Sequence, residues 1–375
     1  VTDMLPFLHG YLGLDVHDFY ARVWPTWKLG IHFEWGLPGD YSFEAPFDWG
    51  VNGVGVLGSL RYRGDITAMT TQSWLMSRDV SPIFRTGEDS VFSLLPHLPF
   101  GYHLDNQRFV AYLTDEARKA GTGHITADIV HVAVAGDGET VTHLVTRDGQ
   151  RLEFDLYIDC SGFRSLILEG ALKTPFRSYG DSLFTDTAVT FNHPHGGTIK
   201  PYTRARTMDS GWCWTIPQVE DDHSGYVFSS DFCSIDQAVE EIHRRFDGAG
   251  EPRVVRFRSG RHEASWRGNV VAIGNAYAFV EPLESTGLLM ICTAARSLVA
   301  CFPRSKEHRS TRELFNLQVA QSWDSLRWFL SIHYKFNRRL STEFWKAARE
   351  QTDISGLQLA VEIYREFGPL TFQDL

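Results

Sequence analysis

The stretch Gly274-Asn275-Ala276-Tyr277-Ala278-Phe279-Val280-Glu281-Pro282-Leu283-Glu284-Ser285-Thr286-Gly287 concentrates the residue types best able to do chemistry. A short apolar run, residues 270–273, reads as a strand that delivers a Gly-Asn-Ala turn. A loop then passes two carboxylates, Glu281 and Glu284, before an apolar helix over 288–301. Backbone N–H groups at a helix start point outward and the helix dipole makes that end electropositive, so it suits an anion. Ser285 or Thr286 as a plain helix cap would account for one hydroxyl. It would leave Glu284 and the Gly274-Asn275-Ala276 turn unexplained.

Lys28 stands in the alternating segment Thr26-Trp27-Lys28-Leu29-Gly30-Ile31, whose apolar neighbours predict a strand. An ammonium buried there is costly unless it has a partner or a task. Taken alone, Lys28 reads as a snorkelling surface lysine; beside the other motifs it reads as a working amine. Trp212-Cys213-Trp214-Thr215-Ile216-Pro217 puts two indoles at i and i+2, on one face of a strand. The plain alternative is a pair of core tryptophans. Asp159-Cys160-Ser161-Gly162 closes another apolar strand. Residues 53–58 match G-x-G-x-x-G, but Pro46 and Gly50 break any strand before it and Gly64 any helix after it. It reads as a glycine-rich loop, not a pyrophosphate cradle. His193-Pro194-His195 and Asp221-Asp222-His223 lack further spaced ligands, so no metal is expected.

These residues need elements to hold them. Residues 11–24 read as a helix and 26–33 as a strand. Residues 34–60, rich in glycine, proline and aromatics, read as a long loop. Helical patterns return over 67–79 and 105–120. From 124 to 158 the period becomes two, and Asp137-Gly138 and Asp148-Gly149 are turn signals joining three strands in a meander, the last over 152–158. More polar strands follow over 184–232, then a helix over 235–246 and strands over 253–258 and 270–273. The helix over 288–301 is apolar almost all round and is expected to be buried. Residues 310–367 read as helical, with Gly368-Pro369 as a stop. Strands alternating with helices, interrupted by a long antiparallel block, predict an α/β fold: a discontinuous domain, an inserted domain and a helical tail. Both ends of the sequence read as cut from something longer.

The bulk properties narrow the function. The 375 residues are 43% hydrophobic and 22% charged, ordinary for a soluble globular protein. A net charge of −10 without a basic run excludes a nucleic-acid surface. No apolar stretch reaches spanning length; the longest, 287–302, is interrupted by Thr293 and Arg296. Five separated cysteines with no C-x-x-C predict a reduced, cytoplasmic protein without disulfides or structural zinc. The 26 Phe, 13 Tyr and 11 Trp fit either flat ligands or thick cores.

The Gly-Asn-Ala and Asp-Cys-Ser-Gly segments resemble the flavoprotein monooxygenase superfamily, with Asn275 where an aspartate is usual. Within it, three features resemble the flavin-dependent tryptophan-halogenase family: W-x-W-x-I-P at Trp212, Trp214, Ile216 and Pro217, the Glu281–Gly287 segment, and Lys28. The resemblance runs from about Leu5 through Ile332-His333-Tyr334 and Phe344-Trp345-Lys346. It implies a GR2-type FAD-binding domain over 1–33, 100–165 and 262–303. It also implies a substrate and halogenation domain with a helical tail over 34–99, 166–261 and 304–375. By the same likeness Asp159, Ser161, Gly162, Gly274, Asn275, Ala276 and Ser285 contact the flavin, and Thr286 and Gly287 hold halide. Lys28 receives hypohalous acid, through a hydrogen bond or as a haloamine. Glu284 orients that donor or takes the ring proton. The two are expected to face each other across a cavity walled from the isoalloxazine by Trp212 and Trp214, with Ile216, Pro217 and Phe47 lining the substrate path.

The implied cofactors are reduced FAD from a separate flavin reductase, chloride or bromide, and O2. The implied substrate is a small electron-rich, indole-like aromatic; no nucleic acid or membrane partner is expected, and the chain would be a monomer or homodimer. Three departures are visible, the first a C-terminal substrate-covering segment that reads as incomplete. The family's flavin fingerprint falls upstream of Val1, and Ala45-Pro46-Phe47 stands where some tryptophan-specific members carry His-Pro-Phe. An aromatic hydroxylase on the same scaffold, or a degenerate flavin-binding module, is the alternative. Bromide in the assay separates the first, flavin absorbance the second.

Overall fold

A computed structural model of the chain describes residues 4–48, 70–88, 90–302 and 309–367, so the glycine motif over 53–58 lies outside the described residues. The chain divides into two compact units. One comprises Val1–Leu113, Phe184–Arg256 and Leu330–Leu375, the other Thr114–Leu183 and Phe257–Phe329.

The first unit is built on strands β1 (Thr26–Lys28), β2 (Gly30–Glu34), β3 (Phe43–Pro46), β4 (Gly101–His103), β5 (Thr187–His193), β6 (Thr203–Met208), β7 (Gly211–Pro217), β8 (Asp222–Phe228) and β9 (Arg253–Arg256). Seven of them form one sheet in the order β9-β5-β8-β7-β6-β2-β3. Every pairing is antiparallel except β6 with β2. Alternation along β7 sends Cys213 to one face and Trp212 and Trp214 to the other. On the cysteine face, Val189, Phe191, Met208, Cys213, Tyr226 and Phe228 pack against Ala238, Ile242 and Phe246. The helix that covers them, Ile235–Arg245, starts at a reciprocal capping box between Ser234 and Gln237. Farther along, Trp35 Nε1 donates to the His333 carbonyl at 2.8 Å, and Trp345 Nε1 donates to the Met208 carbonyl at 2.7 Å. Much of the aromatic content is thus core, with the indole N–H groups of Trp35 and Trp345 each matched to a carbonyl.

Strand β1 pairs with β4 outside that sheet, with Thr26 opposite His103 and Lys28 opposite Gly101. The segment read as one strand over 26–33 is therefore two. At Leu29 the chain changes partners: its N–H donates to the Pro201 carbonyl at 2.8 Å and its carbonyl accepts from Phe47 N–H at 3.0 Å. The reading of 34–60 as loop is corrected as well. Residues 43–46 form β3, where Pro46 is tolerated because β3 is the sheet's edge. The helix expected over 11–24 is a π-helical turn, Pro6–Tyr11, followed by Val16–Val23.

The second unit carries the meander read from its turn signals, Ile129–Val134, Val141–Thr146 and Arg151–Leu152. The strand expected over 152–158 is split, because Tyr157–Asp159 leaves the meander to pair in parallel with Val270–Ala272. Around that pair Val141, Tyr157, Ile167, Leu172 and Val270 form a core. The Gly287–Ala300 helix departs from expectation. Only Ala294 and Leu298 of it are buried, while Leu288, Ile291 and Val299 are exposed. An all-apolar helix predicts burial only when every face meets protein, and this one meets it on one side. The segment read as helical over 310–367 consists of the helices Arg309–Phe336, Glu343–Gln351 and Gln358–Phe367, and Gly368-Pro369 lies outside the described residues. All five cysteines are free thiols. Among the described residues no helix is long and apolar enough to cross a membrane, and no group of metal-ligating side chains gathers.

Candidate active site

In the first unit Lys28 is 2% exposed, among the most buried side chains of the protein. Its Nζ lies 5.7 Å from the centroid of the Phe47 ring, within cation–π range. The snorkelling reading of Lys28 therefore fails: the ammonium is inside, beneath an aromatic ring. Phe47 is held there by its backbone, whose N–H is shared between the Leu29 carbonyl at 3.0 Å and Gln72 Oε1 at 2.7 Å. Gln72 is fully buried; its side-chain amide donates to the Pro99 carbonyl, and its own N–H donates to Asp48 Oδ2 at 3.3 Å. One side chain thus ties the Phe47 segment to the entry of β4, the partner strand of Lys28.

Sequence reading missed Gln72. The signal was present: in the helix Thr71–Met76 it shares the buried face with Leu75 and Met76, where a polar residue needs a reason. Gln72→Leu is expected to cost about 1–3 kcal/mol, because it strips partners from buried backbone groups. It should also slow turnover by about 10- to 100-fold through misplacement of Phe47. Denaturant melts and rate measurements on the purified variant check the two effects separately.

The motif on β7 forms a wall of the same unit. Trp212 is 1% exposed, and its ring centroid lies 5.9 Å from that of Trp214 at an interplanar angle of 56°. Trp214 lies flat on β8: a Cβ on Gly225, its register partner, would sit 2.1 Å from the indole ring. The indole Nε1 of Trp214 is buried and has no hydrogen-bond partner among the described residues. Ile216 is half-buried on the tryptophan face, and the carbonyl of Pro217 accepts a hydrogen bond from Thr26 Oγ1 at 2.8 Å. The end of this motif is thereby joined to the strand that carries Lys28. Gly225→Ala should displace the Trp214 ring at a cost of about 1–3 kcal/mol. A shifted tryptophan emission maximum together with a lowered denaturant midpoint would register it.

In the second unit the parallel pairing brings the other two motifs together. Asp159 stands opposite Ala272, so the segments beginning at Cys160 and at Ile273 leave adjacent parallel strands at their carboxyl ends, where open α/β sheets bind ligands. Ser165 Oγ donates to the Ala276 carbonyl at 2.7 Å and ties the two segments. Gly162 and Gly274 adopt φ of +67° and +64°, which glycine alone takes without strain. Asn275 is exposed and Ala276 buried. The Asp159 carboxylate turns back on its own loop. It accepts from Ser161 N–H and Oγ at 3.0 and 2.6 Å, and from the N–H groups of Ile167 and Leu168 at 2.8 and 2.9 Å. Asp159 and the Ser161 hydroxyl thus shape this segment.

Glu281 is fully buried and Glu284 half-buried. Ser285 adopts φ +55° and closes a turn, its N–H donating to the Pro282 carbonyl at 2.8 Å. Thr286, at the cap position of the Gly287–Ala300 helix, makes no side-chain cap hydrogen bond. The simple capping role for Thr286 is thereby removed. Gly287 is exposed, with nothing within 4 Å of where a Cβ would be. The first turn of this helix is open to an anion. Flanking it are exposed Leu288 and Ile291, and exposed Ile158 and Phe163 belong to the strand-end segments. A glycine-lined turn, an open helix start and exposed apolar side chains suit a flat, partly apolar ring that carries negative charge. These residues of the second unit fit a reduced flavin edge and a halide. Lys28 belongs to the first unit and Glu284 to the second.

The family model for tryptophan halogenase matches residues 1–374. Tryptophan 6-halogenase SttH of Streptomyces toxytricini is 36% identical over 95% of this chain and 73% of its own length. Tryptophan 7-halogenase RebH of Lentzea aerocolonigenes is 35% identical over 71% of this chain and 51% of its own. Among solved structures, MibH, a lanthipeptide tryptophan 5-halogenase, superposes with a TM-score of 0.91 at 53% identity, covering 97% of this chain and 70% of MibH. BrvH, a flavin-dependent halogenase from Brevundimonas sp. BAL3, gives 0.85 at 32% identity, covering 97% and 76%. The chain spans between about half and three quarters of the length of such curated relatives. Its mixed α/β fold is that of the solved flavin-dependent halogenases.

Proposed function

Because the chain belongs to the tryptophan halogenase family, we propose that it uses reduced FAD, O2 and chloride or bromide to halogenate the indole ring of tryptophan. The observation that carries this reading is the Lys28 ammonium, 2% exposed and beneath the Phe47 ring. When bound, reduced FAD supplies the electrons by which O2 and halide become hypohalous acid. Its supply is assigned to a separate flavin reductase, as the family resemblance implies.

The protein's own residues do the rest. Gly274, Asn275, Ala276, Ser161, Gly162 and Ser285 hold the flavin edge, with Asp159 bracing their segment. Thr286 and Gly287 keep halide at the open helix start. Trp212 and Trp214 keep the aromatic substrate away from the flavin, so that oxygen is not inserted. Lys28 holds the hypohalous acid, by hydrogen bond or as a haloamine, and presents electrophilic halogen. The ring carbon takes the halogen, Glu284 accepts the displaced ring proton, and the hypohalous oxygen leaves as water. Phe47 and the Ile216-Pro217 end of the motif position the ring. Function is assigned here by segment rather than by compact unit: flavin to 1–33, 100–165 and 262–303, substrate to 34–99, 166–261 and 304–375.

The substrate assigned is tryptophan within a peptide. Two observations support it: Ala45 offers no imidazole for a free amino acid, and the 53% identical MibH acts on a lanthipeptide. Reaction with bromide, a flavin reductase and a tryptophan-containing peptide should give the paired isotope peaks of one bromine on the indole. A product carrying oxygen and no bromine would instead assign the chain to the aromatic hydroxylases.

A further inference from the structure

The side chain of His103 is 4% exposed and lies between two threonines that are equally enclosed, Thr26 and Thr203, at 8% and 4%. Its Nδ1 is 3.1 Å from Thr26 Oγ1 and its Nε2 is 3.0 Å from Thr203 Oγ1. The direction of these bonds follows from their far end. Thr26 Oγ1 donates its only proton to the Pro217 carbonyl at 2.8 Å, which can only accept. Thr26 must therefore accept from His103, and Nδ1 carries the N–H. In a neutral ring Nε2 is then the acceptor, and Thr203 donates to it. Burial lowers the readiness of this imidazole to take a second proton, and the nearby positive charge of Lys28 lowers it further. The chain Thr203 to His103 to Thr26 to Pro217 runs one way, each bond polarising the next.

This network touches each strand that matters to Lys28. Thr26 lies two residues before Lys28 on β1, so period two puts both side chains on one face. His103 sits opposite Thr26 on β4, Thr203 opens β6, and Pro217 ends the tryptophan strand β7. Strand β1 is three residues long and, among the described residues, pairs with β4 alone, so the Thr26 bond to Pro217 adds a side-chain tie to the large sheet.

We propose that His103, as the neutral Nδ1–H tautomer, is the positioning residue for Lys28: it locks Thr26 to the end of the W-x-W-x-I-P strand and so fixes where the amine points. The inference rests on the role given to Lys28 above, but its structural half stands apart from that role. His103→Asn keeps an N–H donor close to the place of Nδ1, whereas His103→Leu keeps the bulk and loses the donor.

The test uses the full chain with flavin and reductase. It reads halogenated product formed per flavin oxidised, together with the 15N shifts of histidine-labelled enzyme at pH 7. His103→Asn should hold that ratio within about threefold of the wild type and His103→Leu should lose it by about a hundredfold, the scale of an ångström of misplacement, while flavin oxidation stays constant. The signal that disappears in His103→Asn should have the shift pattern of a neutral ring protonated at Nδ1. Equal loss in both variants would overturn the proposal by reducing His103 to a packing residue. So would an Nε2–H or cationic pattern for that signal. If Lys28→Ala retains halogenation, the reading of Lys28 fails, while the tautomer result stands or falls on the spectrum alone.

Discussion

Lys28→Ala is expected to reduce halogenated product by about a thousandfold or more while flavin reoxidation continues at the wild-type rate. The scale is that of removing a group on which the chemical step depends. Two things make the variant informative. Lys28 is 2% exposed, so its removal does not alter a surface that a reductase would meet. Lys28→Met refills the volume that Lys28→Ala empties, so comparing the two separates packing loss from loss of the amine. A fall in product with intact melting and intact flavin oxidation isolates halogen transfer. Product analysis by mass spectrometry beside flavin absorbance reads both in one reaction.

Glu284→Gln carries the second large effect. A carboxylate that removes the ring proton contributes on the order of 10²- to 10⁴-fold, and glutamine keeps its shape without its basicity. Glu284 is half-buried in a segment bent by the Ser285 residue at φ +55°. The isosteric change leaves that turn intact. The expected result is a fall in kcat for halogenation within that range, little change in KM for the peptide, and unaltered flavin oxidation. A drop in flavin affinity without a fall in kcat would move Glu284 from the reacting ring to the cofactor segment.

Local chemistry in the sequence foretold much of this arrangement. The Asp137-Gly138 and Asp148-Gly149 turns mark the meander, and the Trp-Cys-Trp alternation puts the indoles on one face and the cysteine in the core. What stayed hidden depends on partners distant in sequence. Nothing near Tyr157 announces that it leaves the meander to run beside Val270, yet that pairing brings the Asp159 and Gly274 segments together. Leu29 looks like any strand residue until Pro201 and Phe47 claim its backbone. Gly225 gives no sign that an indole lies on it. The Gly287–Ala300 helix shows the converse error: its composition predicts burial, but composition cannot say how many of its faces meet protein. His103 was passed over because a lone histidine in a short strand resembles any other, and its meaning lies in two threonine hydroxyls from other strands, Thr26 and Thr203.

All of these roles assume that halogen reaches the indole while held by the protein, and a scavenger of free hypohalous acid tests that assumption most directly. With bromide and a large excess of free methionine in the buffer, the yield of brominated peptide per flavin oxidised should be unchanged, with one positional isomer. A yield that falls in proportion to methionine, with several isomers on the ring, would mean that the oxidant escapes into solution and that Lys28 does not carry it.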